Sequence, residues 1–279
     1  MSLVLAASGV FSHLAPADLN KGITAYRNGD FEVAYAEFLG AAVTGDTKAQ
    51  YMLGSMHEDG LGVNRDDSAA ARWYKRAATH DPPEPEAQLA LAYLYLEGRG
   101  IGVDAERAAT LFKAAATSRK PQPEAMNAIG ALYARGRGVE RSVTEAIKWY
   151  RRAAHLGHAD GMYNLATAYH RGQGITASVS QALTWYRRAA LKWHVPSQIN
   201  LAYIYAQGYS GDGREVKVNY VKAYAWLRLA AATGNNTAEE NLEILKNRMT
   251  DQERAKGNQH LEALTKELPL RQGASRNER

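Results

Sequence analysis

The chain has 279 residues, 46% of them hydrophobic and 23% charged, the make-up of a folded protein and not of a wholly disordered one. Its 34 basic and 29 acidic residues leave a net charge of +5 with the two signs interspersed, so the concentrated charge that tracks a phosphate backbone is missing and no nucleic-acid partner is expected. Cysteine is absent, which removes disulfides, thiolate nucleophiles and cysteine-held metal centres.

At the start, Leu3 to Phe11 is a short apolar run, and Ala15-Pro16-Ala17 then puts small residues where a signal peptidase reads them, ahead of Asp18. No Lys or Arg precedes the run. Residues 1–17 therefore read either as a secretory signal or its remnant, which places the protein in the periplasm or outside the cell, or as an irregular arm on a cytoplasmic protein. Nothing else approaches the roughly eighteen consecutive apolar residues of a membrane span.

Residues 18–45 read as a helical hairpin. Helices are expected over 18–26 and 31–43 around the turn Arg27-Asn28-Gly29-Asp30, with Ala34, Phe38 and Ala42 on one face of the second.

A repeat then fills residues 46–234. Gly60, Gly98, Gly136 and Gly172 are followed 13 residues on by Trp73, Leu111, Trp149 and Trp185, and Gly208 is followed 18 on by Trp226. Units recur every 36 to 41 residues, the period of a solenoid in which each unit leaves an apolar face that its neighbour covers. Such an array counts as one elongated body whatever its length. In the third repeat Ala125, Ile129 and Tyr133 form one helical stripe, and Ala146, Trp149-Tyr150 and Ala153-Ala154 form a second, with Gly136 and Gly138 reversing the chain between them. Alanine pairs such as Ala77-Ala78 and Ala189-Ala190 let helix axes approach, and the aromatic four residues earlier fills the space between layers. Prolines fall in the joints, at Pro82, Pro83, Pro85, Pro121, Pro123 and Pro196, where they separate helices. The fifth repeat carries an insertion in the stretch 209–218, which reads as a surface loop or as a binding loop. Residues 235–268 read as C-terminal capping helices over 239–247 and 251–267, and 269–279 as a basic tail.

Ala159 to Ala166, Gly172-Gln173-Gly174-Ile175 and Ala182 to Ala190 resemble the motif of the Sel-one-like repeat family, relatives of the tetratricopeptide repeats. The resemblance covers about residues 47–234 in five consecutive copies. Repeat two departs with Leu111-Phe112, and repeat one places His57 where Tyr95, Tyr133, Tyr169 and Tyr205 stand. The resemblance implies an all-α, right-handed α/α superhelical solenoid of about five helix-turn-helix repeats with flanking capping helices. It also implies a non-catalytic scaffold or adaptor, commonly in bacterial envelope signalling, assembly or host interaction. One branch linked to penicillin binding is rich in cysteine, which this chain lacks; an envelope enzyme acting on peptidoglycan or a β-lactam is the alternative reading.

In related solenoids the first helix of each pair lines the concave face, and residues two before and two after the stripe Leu or Ile point into the groove. That places Tyr51, Ser55, Leu89, Tyr93, Asn127, Ala131, Tyr163, Thr167, Ile199 and Tyr203 on a groove for a protein or peptide, with Asn164 and Asn200 flanking the row. Tyrosine offers a large apolar area with a polar tip and few rotors to freeze, and asparagine pairs with a peptide backbone. The competing reading packs Tyr51, Tyr93, Tyr163 and Tyr203 between adjacent first helices. The stripe tyrosines and Trp73, Trp149, Trp185 and Trp226 read as core. Arg72-Lys75-Arg76, Lys148-Arg151-Arg152 and Arg187-Arg188 read as the outer, solvated side.

No cofactor or metal is expected. His155 and His158 sit in a turn without ligand spacing, and Gly98-Arg99-Gly100 follows a helix and lacks the lysine step of a phosphate loop. Glu58-Asp59 and Glu97 read as ordinary helix ends.

Overall fold

The computed structural model describes residues 18–210 and 215–268; the apolar start, the basic tail and residues 211–214 of the insertion lie outside the described residues. Where the repeat pattern counts one body, the chain divides into two compact units, residues 1–122 and 123–279, at the joint carrying Pro121 and Pro123.

The N-terminal unit runs α1 (Leu19–Asn28), α2 (Phe31–Val43), α3 (Thr47–Asp59), α4 (Asp67–Ala78), α5 (Pro85–Glu97) and α6 (Ala105–Thr117). The C-terminal unit runs α7 (Pro123–Arg135), α8 (Val143–His155), α9 (Ala159–Arg171), α10 (Val179–Ala190), α11 (Val195–Gln207), β1 (Tyr209–Ser210), β2 (Glu215–Val216), α12 (Tyr220–Ala231), α13 (Asn236–Lys246) and α14 (Asp251–Glu267). Within each unit every helix packs on the next up to α13, α14 folds back on α12, and first helices touch one another, α3 on α5 and α7 on α9. The two units are therefore stacks of α/α hairpins.

Local chemistry sets the ends of these helices. The side chains of Asp46, Asp66, Asp104, Ser142, Ser178 and Asn219 each accept a backbone N–H of the first turn that would otherwise lack a partner. Two expected boundaries shift for the same reason. Helix α1 continues to Asn28 because Gly29, at φ 87°, makes the left-handed reversal. Helix α13 begins at Asn236 because the Asn235 side chain accepts from the Ala238 N–H. On either side of residues 211–214, Tyr209 pairs with Val216 and Ser210 with Glu215 in a short antiparallel ladder.

The second glycine of the turn has a packing role that its sequence alone hides. A Cβ at Gly62 would lie 2.5 Å from the Phe31 carbonyl oxygen, at Gly100 2.1 Å from the Asp67 carbonyl carbon, and at Gly174 2.8 Å from Val143 Cγ1. Phe31, Asp67 and Val143 are each the first residue of the preceding hairpin's second helix. Each turn thus seats its backbone directly on the hairpin before it.

The core repeats with the chain. Leu53, Leu91, Ile129, Leu165 and Leu201 are buried, as are the residues three further on, Met56, Leu94, Leu132, Ala168 and Ile204. The stripe tyrosines sit one position beyond, so Tyr133, Tyr169 and Tyr205 are only half-buried while Tyr95 is buried under Arg107. On the second helices Trp149, Trp185 and Trp226 are buried, but Trp73 is half-buried, and the residue after the tryptophan position reaches deeper in Tyr74, Phe112 and Tyr186. A buried glutamine ties some consecutive hairpins together. Gln50, Gln88 and Gln198 donate to the carbonyls of Ala42, Ala78 and Ala190 at 3.2, 3.4 and 3.1 Å.

Candidate functional site

In the C-terminal unit the first-helix face is built by α7, α9 and α11. Helix α9 starts where the His158 ring nitrogen accepts the Gly161 N–H, and α11 where His194 Nδ1 accepts that of Ser197. Both end at glycines of positive φ, Gly172 at 66° and Gly208 at 70°. These limits hold Tyr163 and Thr167 one turn apart on one side of α9.

Three of the candidate residues here, Tyr163, Thr167 and Asn200, share one hydrogen-bonded chain through Tyr186. The Thr167 hydroxyl donates to the Tyr163 carbonyl at 2.9 Å, so the Tyr186 hydroxyl, 2.9 Å away, donates to Thr167. The side chain of Asn200 bonds the same Tyr186 hydroxyl. Asn164 Nδ2 donates to Asn127 Oδ1 at 2.9 Å, joining α9 to α7. That bond occupies one donor of Asn164 and one acceptor lone pair of Asn127 and leaves the other amide atoms of both for a partner. Burial raises the Tyr186 hydroxyl above its usual titration range, so it stays protonated as a donor. The Tyr163 ring leans on Tyr186 at 5.8 Å and on His194 at 5.1 Å.

Tyr203 stands apart from the other tyrosines. It is 59% exposed, because the second-helix position that offers a ring in the earlier repeats is Leu227 in the fifth. With Asn200, Leu227 and the outer residues of α13 it borders a cleft of about 210 Å³. The insertion reaches the same unit at the far end of α9, where Tyr209 meets the His170 ring edge-on at 6.1 Å.

The equivalent face of the N-terminal unit has a different chemistry. Tyr51 packs against Tyr74 at 5.8 Å and Tyr93 against Phe112 at 4.9 Å, so both are half-buried and lean on rings instead of standing free. Ser55 bonds the nearby Asp59 at 3.3 Å. Glu58, an apparently ordinary helix end, accepts from the Tyr74 hydroxyl at 2.7 Å and pairs with Arg99 at 2.7 Å. Arg99 lies in the glycine turn of repeat two and also holds Glu97, so the turn that superficially resembles a phosphate loop is an interhairpin clamp. Beside Tyr51, burial and the adjacent Glu86 carboxyl push Glu84 up to about 7, while the hydrogen bond from Glu84 holds Glu86 below its usual range. Two carboxyls this close disfavour being ionised together. Lys48 covers the Tyr51 ring at 4.8 Å.

The structure therefore assigns the candidates to two sets, Tyr51, Ser55 and Tyr93 on an acidic face, and Asn127, Tyr163, Asn164, Thr167, Asn200 and Tyr203 on a neutral amide and hydroxyl face. Sequence reasoning missed Tyr186, Glu58 and His194. The signal that was available for Tyr186 is that the residue after the tryptophan position, which repeat two fills with Leu111, is itself aromatic in four of the five repeats. The histidine pair divides: His155 lies edge-on to Trp185 at 5.3 Å, and His158 caps α9. Among the described residues no three His, Asp or Glu side chains converge as metal ligands, and no helix is long and apolar enough to cross a membrane. The basic clusters 72–76, 148–152 and 187–188 place their Arg and Lys side chains in solvent, with Arg76, Arg152 and Arg188 each 4.8 Å over Trp73, Trp149 and Trp185. Their stems shield the indoles from water.

The Sel1 repeat profile matches residues 47–82, 85–118, 123–158, 159–192 and 195–235. A solved Sel1 repeat protein from Oxalobacter formigenes is 29% identical and superposes with a TM-score of 0.73, covering 88% of this chain and 99% of the other. A stretch of 71 residues, 25% of this chain, is 39% identical to an exopolysaccharide production negative regulator of Rhizobium leguminosarum bv. viciae. The matched stretch spans 27% of that relative's length.

Proposed function

This chain belongs to the Sel1 repeat family, and we propose that it is a non-catalytic scaffold whose C-terminal unit holds a protein or peptide on the first-helix face of α7, α9 and α11. The observation that carries this reading is the row Asn127, Asn164 and Asn200, held by side-chain hydrogen bonds and ending at the open ring of Tyr203. Amides fixed before the partner arrives lose little entropy on binding, and an exposed tyrosine supplies apolar area beside them. A regulatory role beside exopolysaccharide synthesis, as the name of the Rhizobium relative describes for that protein, is one setting for such a scaffold. The apolar run of residues 3–11 followed by Ala15-Pro16-Ala17 supports export to the periplasm or beyond, with the cytoplasm as the alternative.

The test is partner capture from the source organism with the full chain as bait, compared by quantitative mass spectrometry with two variants. Asn164→Ala combined with Tyr203→Ala is expected to lower recovery of the specific partner about tenfold or more, since interface anchors contribute on the order of 1–2 kcal/mol each. Arg151→Ala, on the exposed side of α8, leaves recovery unchanged. Equal recovery with both variants, while each stays folded by circular dichroism, would remove this face as the binding surface.

A further inference from the structure

The scaffold reading leaves open what kind of partner the face accepts, and the cleft at its C-terminal edge narrows that. Its floor is apolar, made by Leu227 of α12 and Leu245 of α13, both buried, with Ile199 of α11 beside them. Its walls are Tyr203 and Ile244, two large apolar side chains that stand 59% and 55% exposed. At about 210 Å³ it is smaller than the roughly 300–1,000 Å³ that encloses a drug-sized ligand, and its size suits one bulky side chain. Arg248 lies on the rim, exposed and with no ion pair among the described residues, and no lining residue is a carboxylate. The acid of α13 on the next turn, Glu243, is already paired with Lys246 at 2.6 Å.

We infer that this cleft receives a bulky apolar side chain of a partner peptide that carries an Asp or Glu carboxylate beside it, the carboxylate pairing with Arg248. The inference rests on the scaffold reading and specifies its partner. An apolar slot and an unpaired guanidinium on one rim are complementary to an acidic and apolar peptide, and unlike to a basic one. The chain's own tail, residues 269–279, carries Arg271, Arg276 and Arg279 against the single acid Glu278, so its charge repels Arg248. A second copy docking through a two-fold axis would bring Arg248 toward its own counterpart.

The experiment selects displayed random short peptides on the full-length chain and measures the winning sequence as a synthetic peptide by fluorescence anisotropy. Enrichment of Asp or Glu within two positions of Leu, Ile, Phe or Trp is expected. Binding is expected to fall about tenfold or more with Arg248→Glu and with Ile244→Ser, and to stay within about threefold with Arg248→Lys. Both positions are exposed, so these variants keep the fold. Peptides that ignore Arg248→Glu but are lost with Asn164→Ala would overturn the cleft and leave the scaffold face standing. Peptides indifferent to both changes, or no enrichment over bare beads, would overturn the cleft and the scaffold reading together. A dimer in sedimentation that Arg248→Glu dissolves, or affinity gained on truncation after Leu268, would make the occupant a second copy or the tail, and would also overturn the inference.

Discussion

Gly100→Ala is expected to cost the N-terminal unit about 3 kcal/mol or more. Two penalties combine. At φ 64° an added Cβ meets its own carbonyl, which costs about 1–2 kcal/mol. The same Cβ would lie 2.1 Å from the carbonyl carbon of Asp67 and 2.4 Å from the Ser68 nitrogen. Those are backbone atoms at the start of α4, which cannot rotate aside as a side chain would, and forced overpacking costs about 1–3 kcal/mol more. Because the turn is where repeat two rests on repeat one, the loss is felt as weakened coupling between hairpins, the interface term on which stacked repeats depend. The measurement is a urea titration of the full chain with hydrogen exchange followed across α4 to α6. Gly102→Ala supplies the control in the same turn: nothing lies within 4 Å of its added methyl, its φ is not positive, and a change within about 0.5 kcal/mol is expected. Equal effects of the two substitutions would show that the close approach at Gly100 does not hold the hairpins together.

Tyr186→Ala is expected to destabilise the C-terminal unit by about 3–5 kcal/mol, the range for truncating a buried aromatic. Tyr186 is 1% exposed, its ring supports Tyr163 at 5.8 Å, and its hydroxyl joins Thr167 to Asn200. Tyr186→Phe separates the two contributions. The ring stays, and the loss is about 1 kcal/mol, because the Asn200 amide and the Thr167 hydroxyl lose a partner at the edge of the core. Repeat two already carries the phenylalanine version: Phe112 replaces the tyrosine, and the hydroxyl-bearing Thr167 is replaced by Tyr93, whose ring packs edge-on to Phe112 at 4.9 Å. Thermal unfolding of the three proteins gives the order wild type, Phe, Ala. A Phe variant as damaged as the Ala variant would mean that the hydroxyl, and not the ring, carries the site.

The repeat, its helical hairpins and its turns were legible because they rest on periodic residues, the glycines, alanine pairs and aromatics at fixed offsets. Helix ends slipped only where a cap decides them, as at Asn235. What could not be read was which tyrosines stay open. Tyr51, Tyr93 and Tyr163 lean on Tyr74, Phe112 and Tyr186, while for Tyr203 the corresponding second-helix position is Leu227, a difference set by a residue more than twenty positions away on another helix. The division into an acidic and a neutral face was hidden in the same way. Glu58 looks like any helix end until Tyr74 and Arg99 close on it, and Glu84 and Glu86 look like a polar helix start until burial raises the Glu84 carboxyl. The cleft beside Arg248 depends on how α13 lies against α11 and α12, which no pattern within one repeat encodes.

Site-specific photocrosslinking in the source cells probes the binding face most directly. A crosslinking amino acid placed at Asn127, Asn200 or Tyr203 is expected to capture one common partner, and the same group at Lys148, Arg151 or Arg188 on the second helices is expected to capture none. Crosslinks confined to the second-helix positions would contradict the account and move the partner to the opposite side of the hairpins.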